Sequence, residues 1–133
     1  MPYLIDSDWI IDHLADSPEA QELLSDLAEE GIAISIVTYM ETYEGALRSS
    51  NPQEAVERLQ ALLLVLPVLP FNPEVAQRCA ALRIQLRDQN KRVNNRALDL
   101  LIAATALHYG LTLVTRNVRD YRDVPGLSIH TRT

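Results

Sequence analysis

Short unbroken apolar runs alternate along the chain with longer stretches in which apolar residues recur every three or four positions. Tyr3-Leu4-Ile5 is the first run, cut off by Asp6-Ser7-Asp8. A continuous apolar run suits a strand buried on both faces of a parallel sheet. The polar triplet then opens a helix carrying Trp9, Ile10, Ile11 and Leu14. A second helix follows Ser17 with Pro18 at its first position, presents Leu23, Leu24 and Leu27, and stops at Gly31. Ile32-Ala33-Ile34-Ser35-Ile36 reads as the next strand, with its isoleucines on one face.

A helical pattern runs from Thr38 to about Arg48, where Ser49-Ser50-Asn51-Pro52 ends it and opens another. That next helix spaces Val56, Leu59, Leu62, Leu63 and Leu66 along one side. Pro67-Val68-Leu69-Pro70 has room for only a very short strand, because its prolines remove donors. Asn72-Pro73 starts a helix with Val75, Ala76, Cys79, Leu82 and Leu86 as its stripe. Asn90 to Arg96 is a polar loop, and a helix from about Arg96 to Tyr109 is apolar on nearly every side, so it is expected at the centre. Gly110 terminates it, Leu111 to Thr115 is a strand, Asn117 to Pro125 a turn region, and Leu127 to His130 a last short strand. Strands separated by helices imply an α/β fold, a mainly parallel sheet of four to five short strands with helices on both faces.

At 133 residues the chain is read as one domain, residues 1–133, and its 47% hydrophobic content is that of a globular protein. The single cysteine, Cys79, cannot form an internal disulfide, and its apolar setting reads as a small buried hydrophobe. With no leader-like opening, this points to the cytoplasm. No apolar run approaches the roughly 20 residues of a membrane span. The net charge of −6 argues against the broad basic face of a duplex-DNA binder. It leaves room for an enzyme that meets nucleic acid through bound cations, which would itself need clustered carboxylates.

In parallel α/β sheets, ligands sit beyond the carboxyl ends of the strands, and that rule selects among the many acids. Asp6 ends the first strand and is either a helix N-cap or a metal ligand; Asp8 carries the same ambiguity. Glu41 follows the second strand by a few residues, whereas Glu44 reads as a solvated surface residue. Asp99 stands in Arg96-Ala97-Leu98-Asp99-Leu100-Leu101-Ile102-Ala103-Ala104-Thr105-Ala106, a segment too apolar to expose much to water. A buried carboxylate there is costly unless paired or bound to a metal. Thr115-Arg116-Asn117-Val118-Arg119-Asp120 leaves the fourth strand, either as a surface turn or as a source of one more oxygen ligand. Oxygen ligands of this kind suit Mg2+ or Mn2+. His13, His108 and His130 have no zinc spacing with one another or with Cys79.

These segments resemble the PIN-domain family, VapC-type toxins in particular. Tyr3-Leu4-Ile5-Asp6-Ser7-Asp8 is similar to its opening strand and first acid, and Ile34-Ser35-Ile36-Val37-Thr38 with Glu41 and Gly45 to its second block. Asp99-Leu100-Leu101-Ile102-Ala103-Ala104-Thr105-Ala106 resembles the third, and Leu113 to Tyr121 the fourth. Two positions depart from the family pattern: Asp8 stands where Asn is usual, and Asn117 where many relatives have Asp. The resemblance implies a Mg2+- or Mn2+-dependent endoribonuclease acting on RNA, with Asp6, Glu41, Asp99 and Asp120 as catalytic acids. Asp6, Asp99 and Asp120 would be the metal ligands; Ser7, Asp8, Thr115 and Asn117 would stand behind them or add a further ligand. In-line hydrolysis would leave a 5′-phosphate and a 3′-hydroxyl. Arg116 and Arg119 would grip RNA phosphates, or else serve as surface ion pairs.

The resemblance also implies a homodimer and a small antitoxin partner, with no membrane. Tyr39, Met40, Tyr43 and Leu47 are candidates for the partner face or for core, and Leu62 to Leu66 for core or a dimer contact. The rival reading is a non-catalytic binding module of the same fold, its acids serving as caps. A phosphotransfer receiver is excluded, since no Asp ends the third strand and no Lys follows a late one. A nucleotide-hydrolysing P-loop protein is excluded for want of a GxxxxGK[ST] loop.

Overall fold

The structure, a computed structural model, describes residues 2–130. Among them, β1 (Tyr3–Ile5) leads into α1 (Ser7–Leu14) and α2 (Pro18–Ala28), and β2 (Ile32–Ser35) into α3 (Ile36–Leu47) and α4 (Pro52–Leu63). Then follow β3 (Val68–Leu69), α5 (Pro73–Asp88), α6 (Ala97–Tyr109), β4 (Thr112–Val114), α7 (Val118–Tyr121) and β5 (Ile129–His130). The sheet order is β3-β2-β1-β4-β5, every neighbouring pair parallel. The chain builds outward from β1 through β2 to β3, then returns to place β4 on the other side of β1. The strand order therefore reverses between β1 and β4, and a crevice opens above their carboxyl ends.

Alternation along the central strands divides the core in two. Leu4, Ala33 and Leu113 pack on the face covered by residues of α5 and α6, among them Val75, Leu82, Leu86, Leu100 and Ala103. Ile5, Ile34 and Val114 face the opposite side, where Trp9, Ile10, Leu23, Leu24 and Leu27 of α1 and α2 close over them. Each fully buried Leu or Ile contributes about 1.5–3 kcal/mol, so this period-two division holds register strongly: a slip by one residue would exchange the two faces.

Polar side chains at helix starts explain most boundaries. Ser17, Asn51 and Asn72 accept from Ala20 N, Glu54 N and Val75 N, each ahead of a proline-led helix. Ser35 does the same for Thr38 N at 3.0 Å, so α3 begins at Ile36, two residues before the periodicity suggests, and β2 ends one residue early. Gly110 closes α6 at φ 69°, the left-handed conformation that favours glycine. Two expectations are revised. The region from Asn117 to Pro125 contains the helical turn α7 where a plain turn was read. Helix α4 ends at Leu63, so Leu66 is buried in the core from outside it while Leu64 and Val65 are exposed.

Candidate active site

Asp6 leaves β1 at the reversal point and does two things at once. Its Oδ1 accepts from Ser7 N at 2.8 Å at the start of α1, and its Oδ2 accepts from Thr115 Oγ1 at 2.7 Å, just past β4. Thr115 in turn receives the amide of Asn117 at 2.9 Å. The two central strands are thus tied by a buried carboxylate at their carboxyl ends; Asp6 is 5% exposed and Thr115 3%. Ser7 donates to Glu41 Oε1 at 2.5 Å and lies 3.1 Å from Thr38 Oγ1. Through that one hydroxyl, the second acid of the group is referenced to the start of α1.

Asp99 rises from the first turn of α6, half-buried, and its Oδ1 accepts from the Tyr121 hydroxyl at 3.2 Å. Tyr121, the last residue of α7, is 1% exposed. Its hydroxyl is pushed above the ordinary tyrosine range by burial and by the charges of Asp6, Asp99 and Glu41. The Tyr121 hydroxyl thus lies within electrostatic reach of all three carboxylates. Burial pushes Asp6 upward, opposed by the Thr115 and Ser7 donors and reinforced by the charges of Asp8 and Asp99. Burial likewise raises Asp99; Tyr121 and Arg96 lower it, while Asp120 and Asp8 raise it. Asp6 and Asp99 thus sit among like charges, a situation a cation relieves.

The two departures from the family pattern meet face to face: Asn117 Nδ2 donates to Asp8 Oδ2 at 3.0 Å. Both are exposed, at the rim of the cluster. Asp120 is also exposed, and its backbone carbonyl is held by Arg96 at 2.9 Å. Arg119 is exposed on the same turn. Arg116 turns away from the acids: it pairs with Asp12 at 2.9 Å, reaches Glu19 at 3.9 Å, and stacks 3.8 Å above the Trp9 ring.

The donor set fits a hard divalent cation. It is built of carboxylate oxygens, with no histidine or cysteine among them, and its buried members hinder each other's ionisation. Among the described residues, no three Asp, Glu, His or Cys side chains close around a point by themselves. Such an open cluster accords with Mg2+, which binds through one or two carboxylates and keeps several waters.

Sequence reasoning missed Arg96, Asp123, Thr38 and the Tyr121 hydroxyl. Arg96 and Asp123 fell in stretches read as polar loop and turn, where charge is ordinary. The one available signal was an arginine set directly against a helix apolar on nearly every side.

A parallel α/β domain with carboxylates gathered at its strand-order reversal is the class defined by these observations. The PIN domain family model matches residues 3–127, and the chain belongs to that family. It is similar to the tRNA(fMet)-specific endonuclease VapC of Salmonella typhimurium, 26% identical over 129 residues that cover 97% of this chain and 96% of that protein. Similarity extends to ribonuclease VapC2 of Haemophilus influenzae, 28% identical over 129 residues covering 96% and 95%. Among solved structures, VapBC2 from Rickettsia felis bound to a promoter DNA fragment matches with a TM-score of 0.88 at 25% identity over 100% of both chains. DNA-bound VapBC from Salmonella typhimurium matches with a TM-score of 0.86 at 26% identity over 98% of each.

Proposed function

We propose that this chain is the toxin of a toxin–antitoxin pair, an endoribonuclease that hydrolyses RNA phosphodiesters with Mg2+ or Mn2+. The observation that carries the reading is the convergence of Asp6, Glu41 and Asp99 beside Tyr121, at the carboxyl ends of β1 and β4. Ribonuclease names among the full-length relatives support the reaction class.

Asp6, Asp99 and Asp120 are the residues that would hold the cation, with Glu41 adjoining through Ser7. When bound, the cation lowers the pKa of water and neutralises charge at the phosphate. The rest falls to the chain itself. Thr115 and Ser7 N fix both oxygens of Asp6, so the carboxylate does not need to reorganise when substrate arrives. Ser7, itself beside Thr38, restrains one oxygen of Glu41. With Asn117 turned to Asp8, Asp120 supplies the further carboxylate, and Asn117 and Asp8 line the rim. Arg119, exposed beside Asp120, meets the RNA backbone; Arg116, already paired with Asp12, contributes less.

Helix α3 offers the antitoxin its seat. Ile36, Tyr39, Met40, Tyr43 and Leu47 line a shallow apolar concavity, with Met40 and Leu47 about half exposed. A second apolar cleft of about 270 Å³ lies on the α1–α4 side of the same helix, lined by Ile11, Leu14, Thr42, Ala46 and Ala55. The VapBC complexes among the structural relatives favour such a partner. Exposed Leu64 and Val65 are candidates for the homodimer contact.

The test is incubation of the partner-free protein with total RNA, with Mg2+ or Mn2+ and with excess chelator. Discrete fragments that vanish under chelation support the reading. Intact RNA with either cation favours the binding-module alternative.

A further inference from the structure

Arg96 is the most heavily engaged side chain outside the acid cluster. Although it stands at the N-cap position of α6, its side chain makes no cap. It is instead buried at 8% exposure and donates four hydrogen bonds. Nη1 reaches Arg92 O at 2.7 Å and Asp123 Oδ2 at 3.0 Å; Nη2 reaches Asp123 Oδ1 at 2.7 Å and Asp120 O at 2.9 Å. The fork on Asp123 is bidentate, a geometry that guanidinium makes and an ammonium does not.

These contacts bracket Tyr121. Asp120 and Asp123 lie on either side of it, and α7, at four residues, is too short to hold its own conformation. An external tie is needed, and Arg96 is that tie. The same residue begins the helix that carries Asp99 three positions later. The Tyr121 end of the Tyr121–Asp99 hydrogen bond is therefore referenced to the Arg96 side chain, and the Asp99 end to the backbone of the same residue.

We propose that Arg96 and Tyr121 form a positioning relay for Asp99: the Arg96–Asp123 fork fixes α7, and α7 holds the Tyr121 hydroxyl on Asp99 Oδ1. Tyr121 touches the proposed metal ligand without touching substrate, and Arg96 acts only through it. The relay restrains rotation of the Asp99 carboxylate through the hydrogen bond that Tyr121 donates to it. It rests on the metal-nuclease reading, and the experiment separates the two.

Mn2+ binding to protein freed of metal and RNA is followed by the loss of the free-ion paramagnetic resonance signal. The variants are Tyr121→Phe, Arg96→Lys, the double variant and Asp99→Asn. Tyr121→Phe keeps the ring and its packing, so it decides the matter even where Arg96→Lys fails to fold. Loss of a group that orients a metal ligand weakens affinity by about 10- to 100-fold, and that is the expected effect of Tyr121→Phe. Arg96→Lys is expected to weaken Mn2+ binding similarly, and the double variant to be no weaker than the worse single, because the two act in series. A plain structural staple predicts otherwise: Arg96→Lys lowers the melting temperature, while Tyr121→Phe binds Mn2+ like the wild type. That outcome, with Asp99→Asn defective, overturns the relay and leaves the nuclease reading standing. A wild type that binds no more Mn2+ than Asp99→Asn overturns both.

Discussion

Asp6 is the helix-start acceptor of α1 and stands among the neighbouring acids; of the two roles its sequence context offered, N-cap and metal ligand, the first is seen directly. One oxygen accepts from the α1 amide and the other from Thr115, so both are held in place and each keeps a further lone pair. Its ionisation, like that of Asp99, is pushed upward by burial first and by neighbouring acids after. An acid raised in the folded state contributes stability below its unfolded pKa and loses it as pH rises through the folded value. The metal-free protein should therefore carry a penalty at neutral pH that is absent near pH 4. Asp6→Asn retains an oxygen for the amide of Ser7 and removes that charge. Calorimetry in chelator should find Asp6→Asn melting at or above the wild type at neutral pH, the difference shrinking toward acid. A deficit of constant size across the range would show that the carboxylate is purely a structural cap. Asp6 and Asp99 were legible because each breaks an apolar run. The Asn117–Asp8 bond was not, because it joins positions 109 residues apart.

At the scale of elements, the strands and long helices were legible from period alone, and the errors lie where a side chain overrules period. Ser35 belongs to a strand by pattern, yet its hydroxyl caps α3 and pulls the boundary back. The turn α7 has no apolar period to read, and Arg96, which holds Asp120 O and Asp123 around it, is distant in sequence. That segment also carries the clearest nucleic-acid expectation. Arg119 is exposed beside Asp120, whereas Arg116 is neutralised by Asp12. For a single-stranded substrate, each phosphate contact contributes about 0.7 to the slope of log affinity against log salt. Arg119→Ala should flatten the slope by about that amount, measured with catalytically inactive protein, and Arg116→Ala should change it less. An unchanged slope for Arg119→Ala would remove that residue from the RNA path.

For the whole molecule, the reversal of strand order between β1 and β4 turns scattered acids into one group. The sequence placed these acids at one sheet edge, because each follows a strand or stands near the start of a helix. It did not contain the strand order itself, which depends on packing between distant elements. The acid edge and the apolar surface of α3 present different chemistry, so partner binding and catalysis should be separable. Met40→Asp, at a half-exposed position, should leave the fold and RNA cleavage intact while abolishing co-purification with a small co-expressed antitoxin. Retained co-purification would move the seat elsewhere. The most direct test of the central claim is cleavage of RNA in Mn2+ by the wild type beside Asp6→Asn and Asp99→Asn, each confirmed folded, with the product ends mapped. The account predicts discrete products bearing 5′-phosphates from the wild type and a loss of at least about 100-fold in rate from either variant. Wild-type rates from both folded variants would contradict it.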